Sequence, residues 1–67
     1  MNLRDLRKSK GLMQKTIAMN LGITKVKYCR YETGLTEIPV GMLTPLAREY
    51  GISVSRLIEV IAENQNG

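Results

Sequence analysis

The stretch QKTIAMNLGITKVKYCRYETG (residues 14–34) contains two helical patterns separated by a very short connection. Three apolar residues of its first half share one helix face: Ile17, Ala18 and Leu21. Gly22 follows as a left-handed helix end, and Thr24 is a favourable N-cap for a second helix that ends at Gly34. The sequence therefore predicts two helices joined by only three residues, 22–24.

A three-residue turn that contains glycine is the spacing of a helix-turn-helix, whose second helix is free to enter the major groove of DNA. The charges of the predicted second helix favour this interpretation. Lys25 and Lys27 lie in its first turn and Glu32 in its last, placements that each cost roughly 0.3–1 kcal/mol against the helix dipole. If the lysines face DNA, neutralised phosphates and released counterions outweigh that cost.

Helical spacing continues on both sides of this stretch, and no alternating strand pattern is present. Leu3 and Leu6 lie on one face of a first helix, which Gly11 terminates. Near the other end of the chain, Ser53 is a favourable N-cap for a fifth helix. The expected apolar stripe of that helix has four members: Val54, Leu57, Ile58 and Ile61.

The fourth helix is constrained by Pro45, which lacks an N–H and clashes with the preceding helical turn. We therefore expect the helix to begin near Met42 or Leu43, with Pro45 in its first turn, and to end at Tyr50. Residues 35–39 are expected to form a loop.

The pattern as a whole predicts an all-α fold, a compact domain of five helices at residues 1–63 with a flexible polar tail at residues 64–67. No apolar run approaches the ~20 residues that a membrane span needs. The first ten residues have no apolar block after their charges, as a secretory signal would. Cys29 is the only cysteine, so no internal disulfide is possible, and we expect a cytoplasmic protein with no membrane partner.

The net charge of +4 is unevenly distributed along the chain. Residues 1–31 contain eight basic side chains and one acidic side chain, for a net charge of +7. Residues 32–67 contain two basic and five acidic side chains, for a net charge of −3. This asymmetry favours a polyanionic partner for one half of the domain.

The residues needed for common enzyme chemistry are absent from the sequence. There is no histidine, a single cysteine cannot form a thiolate zinc site, and the acidic residues are scattered. No glycine-rich loop connects a strand to a helix, as phosphate-binding motifs require. We therefore expect no enzymatic activity, no cofactor, no metal and no small-molecule substrate.

The predicted third helix presents a polar face with four candidate base-reading residues: Lys25, Val26, Cys29 and Arg30. Arg30 is suited to donate two hydrogen bonds to O6 and N7 of guanine. Val26 either contacts a thymine methyl group or packs on the second helix. Cys29 either faces DNA or lies against Ala18.

The opposite face of that helix carries Tyr28 and Tyr31, for which core packing is favoured over base stacking. Glu32 lies beside them, where an unpaired carboxylate would be costly. Arg7 is on the inner face of the first helix. We therefore expect an Arg7–Glu32 ion pair that joins the first helix to the third.

Three segments together resemble the Cro/repressor helix-turn-helix proteins, also called the XRE or lambda-repressor-like family: LRDLRKSKGLMQKTIAMNLGIT, KYCRYETG and LAREYGISVSRLIE. The resemblance covers residues 2 to about 61. It implies a five-helix domain that binds operator DNA as a two-fold dimer. The chain departs from the family at Met13, where a Ser, Thr or Asn usually caps the second helix.

The resemblance also implies roles for individual residues. Gln14 matches a phosphate contact at the start of the second helix, and Arg7 and Glu32 match an interhelical ion pair. Lys25, Val26, Cys29 and Arg30 match base-facing positions. The residues expected to contact the DNA backbone are Gln14, Lys15, Thr24, Lys27, Leu35 and Thr36.

The expected function is therefore that of a sequence-specific regulator, a repressor, that reads a near-palindromic operator as a homodimer. Val60 lies off the predicted stripe of the fifth helix, and either forms an apolar dimer contact with Leu57 and Ile61 or is a single exposed valine. The alternative function is a protein-interaction module of the same fold, an antitoxin or antirepressor. A non-specific nucleic-acid binder is a further alternative.

Overall fold

The computed structural model describes the backbone of residues 2–66 and the side chains of residues 2–63. This part of the chain contains five helices and no strand, which confirms the predicted all-α fold. The helices are α1 (Leu3–Ser9), α2 (Gln14–Leu21), α3 (Lys25–Thr33), α4 (Val40–Tyr50) and α5 (Val54–Asn66). The backbone of α5 is helical through residue 66. The flexibility predicted for the tail at residues 64–67 stays a prediction, because those side chains and all of residue 67 lie outside the described residues.

Side-chain caps begin three of the helices, two of them at the predicted positions Thr24 and Ser53. The side chains of Asn2, Thr24 and Ser53 each accept a hydrogen bond from the N–H three residues later, at 2.8, 3.1 and 3.1 Å. Met13 occupies the equivalent position before α2 and makes no side-chain cap. The helix nevertheless begins at Gln14, because its buried face at Ile17 and Ala18 is packed into the core.

The helices α2, α3 and α4 each end in the same capping motif, a Schellman motif. Each helix is followed by a glycine in the left-handed region: Gly22, Gly34 and Gly51, with φ angles of +71°, +80° and +69°. The N–H of the next residue then bonds to the carbonyl five positions earlier, at 3.0–3.1 Å, in three pairs: Ile23 to Ala18, Leu35 to Arg30, and Ile52 to Ala47. The turn between α2 and α3 can be short because Gly22 adopts a positive φ, which residues with a side chain rarely do.

The predicted start of the fourth helix at Met42 or Leu43 was wrong. The helix begins at Val40, so Pro45 is its sixth residue rather than part of its first turn. Pro45 has no N–H to donate to the carbonyl of Gly41, but Gly41 is exposed and water can satisfy that carbonyl. The proline therefore removes a single hydrogen bond at a solvated position and is tolerated there.

The core is formed by one face of each helix. Its fully or almost fully buried members are Leu3, Leu6, Ile17, Ala18, Tyr28, Leu46, Ala47, Tyr50, Leu57 and Val60. Contacts are most numerous between α2 and α3, the predicted helix-turn-helix, and α5 packs against α1, α3 and α4. This arrangement supports α3 from its inner face and leaves its polar face at the surface.

The predicted dimer contact on α5 was wrong for two of its three residues. Leu57 and Val60 are both 0% exposed, so neither can touch a second subunit. Ile58, expected on the core stripe, is instead 51% exposed, and Ile61 is partly buried. The reason is that the face of α5 that carries Val60 packs against α1, α3 and α4.

Tyr28 of α3 and Tyr50, the last residue of α4, form a buried hydroxyl–hydroxyl hydrogen bond. Both side chains are almost completely removed from solvent. Burial disfavours the charged phenolate and raises the pKa of Tyr50 to about 12. It also raises the pKa of Tyr28, as does the hydrogen bond to Tyr50.

These shifts predict a loss of stability at alkaline pH. Above pH 10 the unfolded chain releases tyrosine protons that the fold retains, so stability falls toward pH 12 by up to about 1.4 kcal/mol per pH unit for each hydroxyl. Urea unfolding followed by circular dichroism from pH 8 to 11 measures this slope. The double variant Tyr28→Phe/Tyr50→Phe is the control and should show a shallower slope; equal slopes in the two proteins would contradict the prediction.

Candidate nucleic-acid interface

The outer face of α3 carries three cations without a compensating acid. Lys25, Lys27 and Arg30 are exposed. Among the residues that the structure describes, no carboxylate pairs with any of the three. The N–H of Lys27 donates to the Thr24 hydroxyl oxygen, which fixes the start of the helix at the turn. The face therefore has a positive potential that nothing within the described chain neutralises.

A groove of about 480 Å³ runs along this face. We call it the recognition groove; its lining includes Gln14, Lys25, Val26, Cys29, Arg30 and Leu35. Val26 is 62% exposed, so most of its side chain is not packed on α2. Cys29 is half-buried and lines the same groove. All four residues predicted to read bases are thus brought together on one surface.

The N–H groups of the loop after α3, which was expected to contact the DNA backbone, are bonded within the chain. The N–H groups of Leu35 and Thr36 both donate to the Arg30 carbonyl, at 3.0 and 3.3 Å. They are therefore used within the chain and not available to a phosphate. The Leu35 side chain is apolar and 80% exposed, so it offers no donor to a phosphate, and the assignment of Leu35 as a DNA-backbone contact stays a prediction. Thr36 keeps its exposed hydroxyl.

A second, smaller depression of about 280 Å³ lies at the start of α2. We call it the α2 notch; it is lined by Arg7, Met13, Gln14, Lys15 and Lys25. The first turn of α2 contains no acidic residue, and no side chain caps it. Three basic side chains line this depression, of which Lys15 and Lys25 have no acidic partner among the described residues, whereas Arg7 is paired with Glu32. The first turn of α2 adds N–H groups without a helical partner, and this combination suits a bound anion.

Arg7 and Glu32 form a bidentate ion pair behind this surface. Arg7 Nε donates to Glu32 Oε2 at 2.9 Å, and Arg7 Nη2 donates to Glu32 Oε1 at 3.1 Å. Arg7 Nη1 also donates to the carbonyl of Leu12, at 2.9 Å. The hydrogen bond with Glu32 raises the pKa of Arg7, and the carboxylate side chain is only 3% exposed. The pair therefore joins α1, the α1–α2 connection and α3.

From the sequence, Tyr50 was not identified as a buried residue beside the Arg7–Glu32 ion pair. Tyr28 and Tyr50 lie close enough to the ion pair for the Glu32 charge to raise the pKa of both phenols, after the larger effect of burial. The available signal was compositional, since the chain has three tyrosines and no phenylalanine or tryptophan. Aromatic core positions that all keep a hydroxyl indicate buried hydrogen bonds.

Neither a membrane-spanning helix nor a metal-binding cluster is present among the described residues. No helix in that part of the chain is both long enough and apolar enough to cross a membrane. It also contains no group of three or more His, Cys, Asp or Glu residues arranged to hold a metal ion.

Comparisons with known proteins agree with this geometry. The chain is 39% identical over 57 residues to YonR of Bacillus subtilis, an SPbeta prophage-derived uncharacterized HTH-type transcriptional regulator. It is 32% identical over 56 residues to RstR of Vibrio cholerae, a cryptic phage CTXphi transcriptional repressor. These alignments cover 85% and 84% of the chain but 53% and 50% of the relatives, so the chain spans about half their length. No solved structure gives a significant match.

A family model described as a helix-turn-helix domain matches residues 1–58, most of the chain. Both relatives are named as regulators of transcription, and neither is named as an enzyme. The matched residues include the whole of α2, the turn and α3. The chain therefore belongs to the helix-turn-helix family, as an XRE-like DNA-binding protein of the Cro/repressor type.

Proposed function

We propose that this protein is a sequence-specific regulator of transcription, a repressor, that inserts α3 into the major groove of a near-palindromic operator. The single observation that carries the proposal is the recognition groove, where uncompensated cations and a mixed polar and apolar surface share one exposed helix face. The names of the two relatives support the regulatory role. A purely electrostatic binder would not need the apolar part of this surface.

Base reading is assigned to the residues of the recognition groove. Arg30 has two parallel donors that match O6 and N7 of guanine. Lys25 lies in the first turn of α3, the end of a recognition helix that approaches base edges most closely. Cys29, half-buried between them, allows close approach because its side chain is small.

Backbone contacts are assigned to the residues that surround the groove. The α2 notch receives one phosphate, bound by Lys15, the Gln14 amide and the free N–H groups of the first turn of α2. Lys27 is exposed beside the groove and takes a second phosphate. Thr24 accepts a hydrogen bond from the Lys27 N–H, so its own hydroxyl proton remains free to donate to phosphate. These contacts orient α3 but do not distinguish sequences.

A homodimer is part of the proposal, because two copies with two-fold symmetry place recognition helices about 34 Å apart on successive major grooves. Since Leu57 and Val60 are buried, the contact must use other residues. Ile58 and Ile61 line a groove of about 280 Å³ together with Glu37, Ile38 and Leu43. We assign the subunit contact to the aliphatic side chains of this surface.

Selection of bound duplexes from a random pool, followed by titration of selected and random duplexes, tests the proposal. We expect a near-palindromic consensus, two chains per duplex and weaker binding to the random duplex. Equal affinity for all duplexes would favour the non-specific binder instead. No binding even at low salt would favour the antitoxin or antirepressor alternative.

Lys27→Ala is expected to weaken binding to all duplexes by a similar factor. A lost phosphate contact also makes the logarithm of the binding constant depend less steeply on salt, by about 0.9 in slope. Titrations between 50 and 200 mM salt measure both effects. Lys8→Ala is the matched control, since Lys8 is exposed on α1 and lines neither the recognition groove nor the α2 notch. An unchanged slope for Lys27→Ala would contradict its assignment to the backbone.

A further inference from the structure

A buried hydrogen bond connects α3 to α4 across the core. Tyr28 lies in the middle of the inner face of α3, and Tyr50 is the last residue of α4. Their hydroxyl groups bond to each other, and the two residues are 0% and 1% exposed. α3 packs closely on α1, α2 and α5, but its backbone does not pack closely on that of α4. The two phenols therefore form a directional link between helices whose backbones lie apart.

The neighbouring polar groups prevent this link from rearranging freely. Glu32, one helical turn after Tyr28, is bonded to Arg7 through both carboxylate oxygens. Among the described residues, no buried side-chain nitrogen or oxygen lacks a hydrogen-bond partner. A rotation of α3 about its axis would break the bonds of Tyr28 and Glu32 and leave buried polar groups unpaired, which is costly. Apolar packing has no directional preference and would resist such a rotation less.

Small rotations of α3 change the positions of the side chains in the recognition groove. The ends of helix side chains lie about 5–6 Å from the axis, so a rotation of about 10° moves them by about 1 Å. Lys25 and Arg30 line the groove and lie on either side of Tyr28 in the chain. A hydrogen bond to a base edge does not survive such a displacement, because its donor–acceptor distance spans only about 2.7–3.2 Å.

We propose that Tyr50 is a positioning residue for sequence-specific DNA binding, because its bond to the Tyr28 hydroxyl fixes the rotation of α3 and with it the orientation of the recognition groove. The inference rests on the proposed function and deepens it. Tyr50 is 1% exposed and lies outside the α2–turn–α3 unit, so it does not touch DNA itself. It affects the discrimination between duplexes and leaves the attraction to phosphates unchanged.

Two variants test this role in titrations of the selected and random duplexes. Tyr50→Phe removes one hydroxyl of the link and leaves the other without its partner. We expect the ratio of affinities for selected and random duplexes to fall roughly 2- to 30-fold, the range for residues that act at a distance. The salt dependence should stay that of the parent protein, because no phosphate contact is lost. Tyr28→Phe/Tyr50→Phe leaves neither hydroxyl unpaired, so it should recover stability but not the ratio.

Leu46→Val is the matched control for a general loss of stability. Leu46 also lies on α4 and is 0% exposed, but its side chain has no polar group. The variant removes one methylene group from the core and leaves the hydroxyl link in place, so it should keep the ratio of the parent protein. Circular dichroism at the titration temperature verifies that each variant is folded. If Tyr50→Phe is unfolded, the double variant provides the comparison.

The outcomes separate the inference from the proposed function. A parent protein that binds selected and random duplexes equally overturns both. A ratio that is unchanged in both tyrosine variants overturns the role of Tyr50 and leaves sequence-specific binding in place. An equal fall in Leu46→Val would make the loss a general effect of stability and overturns the role as well. Full recovery of the ratio in the double variant also overturns it, because the link is absent there.

Discussion

Replacement of Glu32 by alanine is expected to lower the free energy of unfolding by about 3–5 kcal/mol, the cost of leaving one member of a buried ion pair without its partner. The Arg7 guanidinium would lose two of its three hydrogen bonds while remaining largely buried. At about 0.05–0.15 kcal/mol per residue, a domain of 67 residues has only roughly 3–10 kcal/mol of stability in total. The variant should therefore be extensively unfolded at room temperature or close to it.

Urea unfolding monitored by circular dichroism measures this loss against a matched control. Glu59→Ala removes the acid of the Arg56–Glu59 pair, which has a comparable distance of 3.0 Å but side chains that are 46% and 66% exposed. An exposed pair of this kind contributes at most about 1 kcal/mol. If Glu32→Ala and Glu59→Ala lost similar stability, the buried pair would not be a major support of the fold.

The double variant Arg7→Met/Glu32→Leu distinguishes the stability cost of an unpaired buried charge from the cost of losing the contact between α1 and α3. It removes both charges and fills their space with apolar side chains, so it should recover most of the stability that Glu32→Ala loses. A double variant as unstable as Glu32→Ala would mean that the ion pair itself, rather than the absence of an unpaired charge, holds α1 to α3.

Arg30→Ala is expected to produce the largest change in sequence preference. A bidentate contact to guanine contributes about 1–3 kcal/mol of discrimination against the wrong base, so preference at one position of each half-site should fall by roughly 5- to 150-fold. Arg30 is exposed and its side chain lines the recognition groove, whereas its carbonyl supports the loop after α3. Because alanine keeps that carbonyl, the fold should be retained.

Titration of duplexes with each of the four bases at each operator position measures the preference. Arg48→Ala is the control, since Arg48 is an exposed arginine in the last turn of α4, outside the recognition groove. Arg30→Ala should flatten the profile at one position, while Arg48→Ala should leave every position unchanged. A uniform loss of affinity in Arg30→Ala, with an unaltered profile, would reassign Arg30 to a phosphate.

Much of the local structure was predictable because its determinants lie within a few residues of each other. Thr24 and Ser53 begin helices through bonds to the N–H three positions later. Gly22 and Gly34 end helices because the left-handed region favours residues without a Cβ. The Arg7–Glu32 pairing was also deducible, since the helical period placed both residues on inner faces that need charge balance.

The residues of the candidate site on α3 were as predictable from the sequence as the helix ends were. The period of α3 placed Lys25, Val26, Cys29 and Arg30 on one face, and the structure brings them onto one groove. The sequence named Leu35 only as a DNA-backbone contact and did not predict that its side chain lines this groove. The same glycine-plus-aliphatic pattern packs on the core at Ile23 and at Ile52. Which of these side chains faces the surface depends on what lies opposite each helix end.

The sequence by itself determined that there are five helices, the caps at Thr24 and Ser53, the short turn before α3 and the charge of its outer face, because each of these depends on local backbone and side-chain chemistry. The tertiary structure alone decided which flank of α5 is buried. Ile58 lies about 100° to one side of Leu57 and Val60 about 60° to the other, so the helical period permits either residue in the core. The neighbouring helices bury Val60 and expose Ile58, because a helix face becomes core only where another helix packs against it.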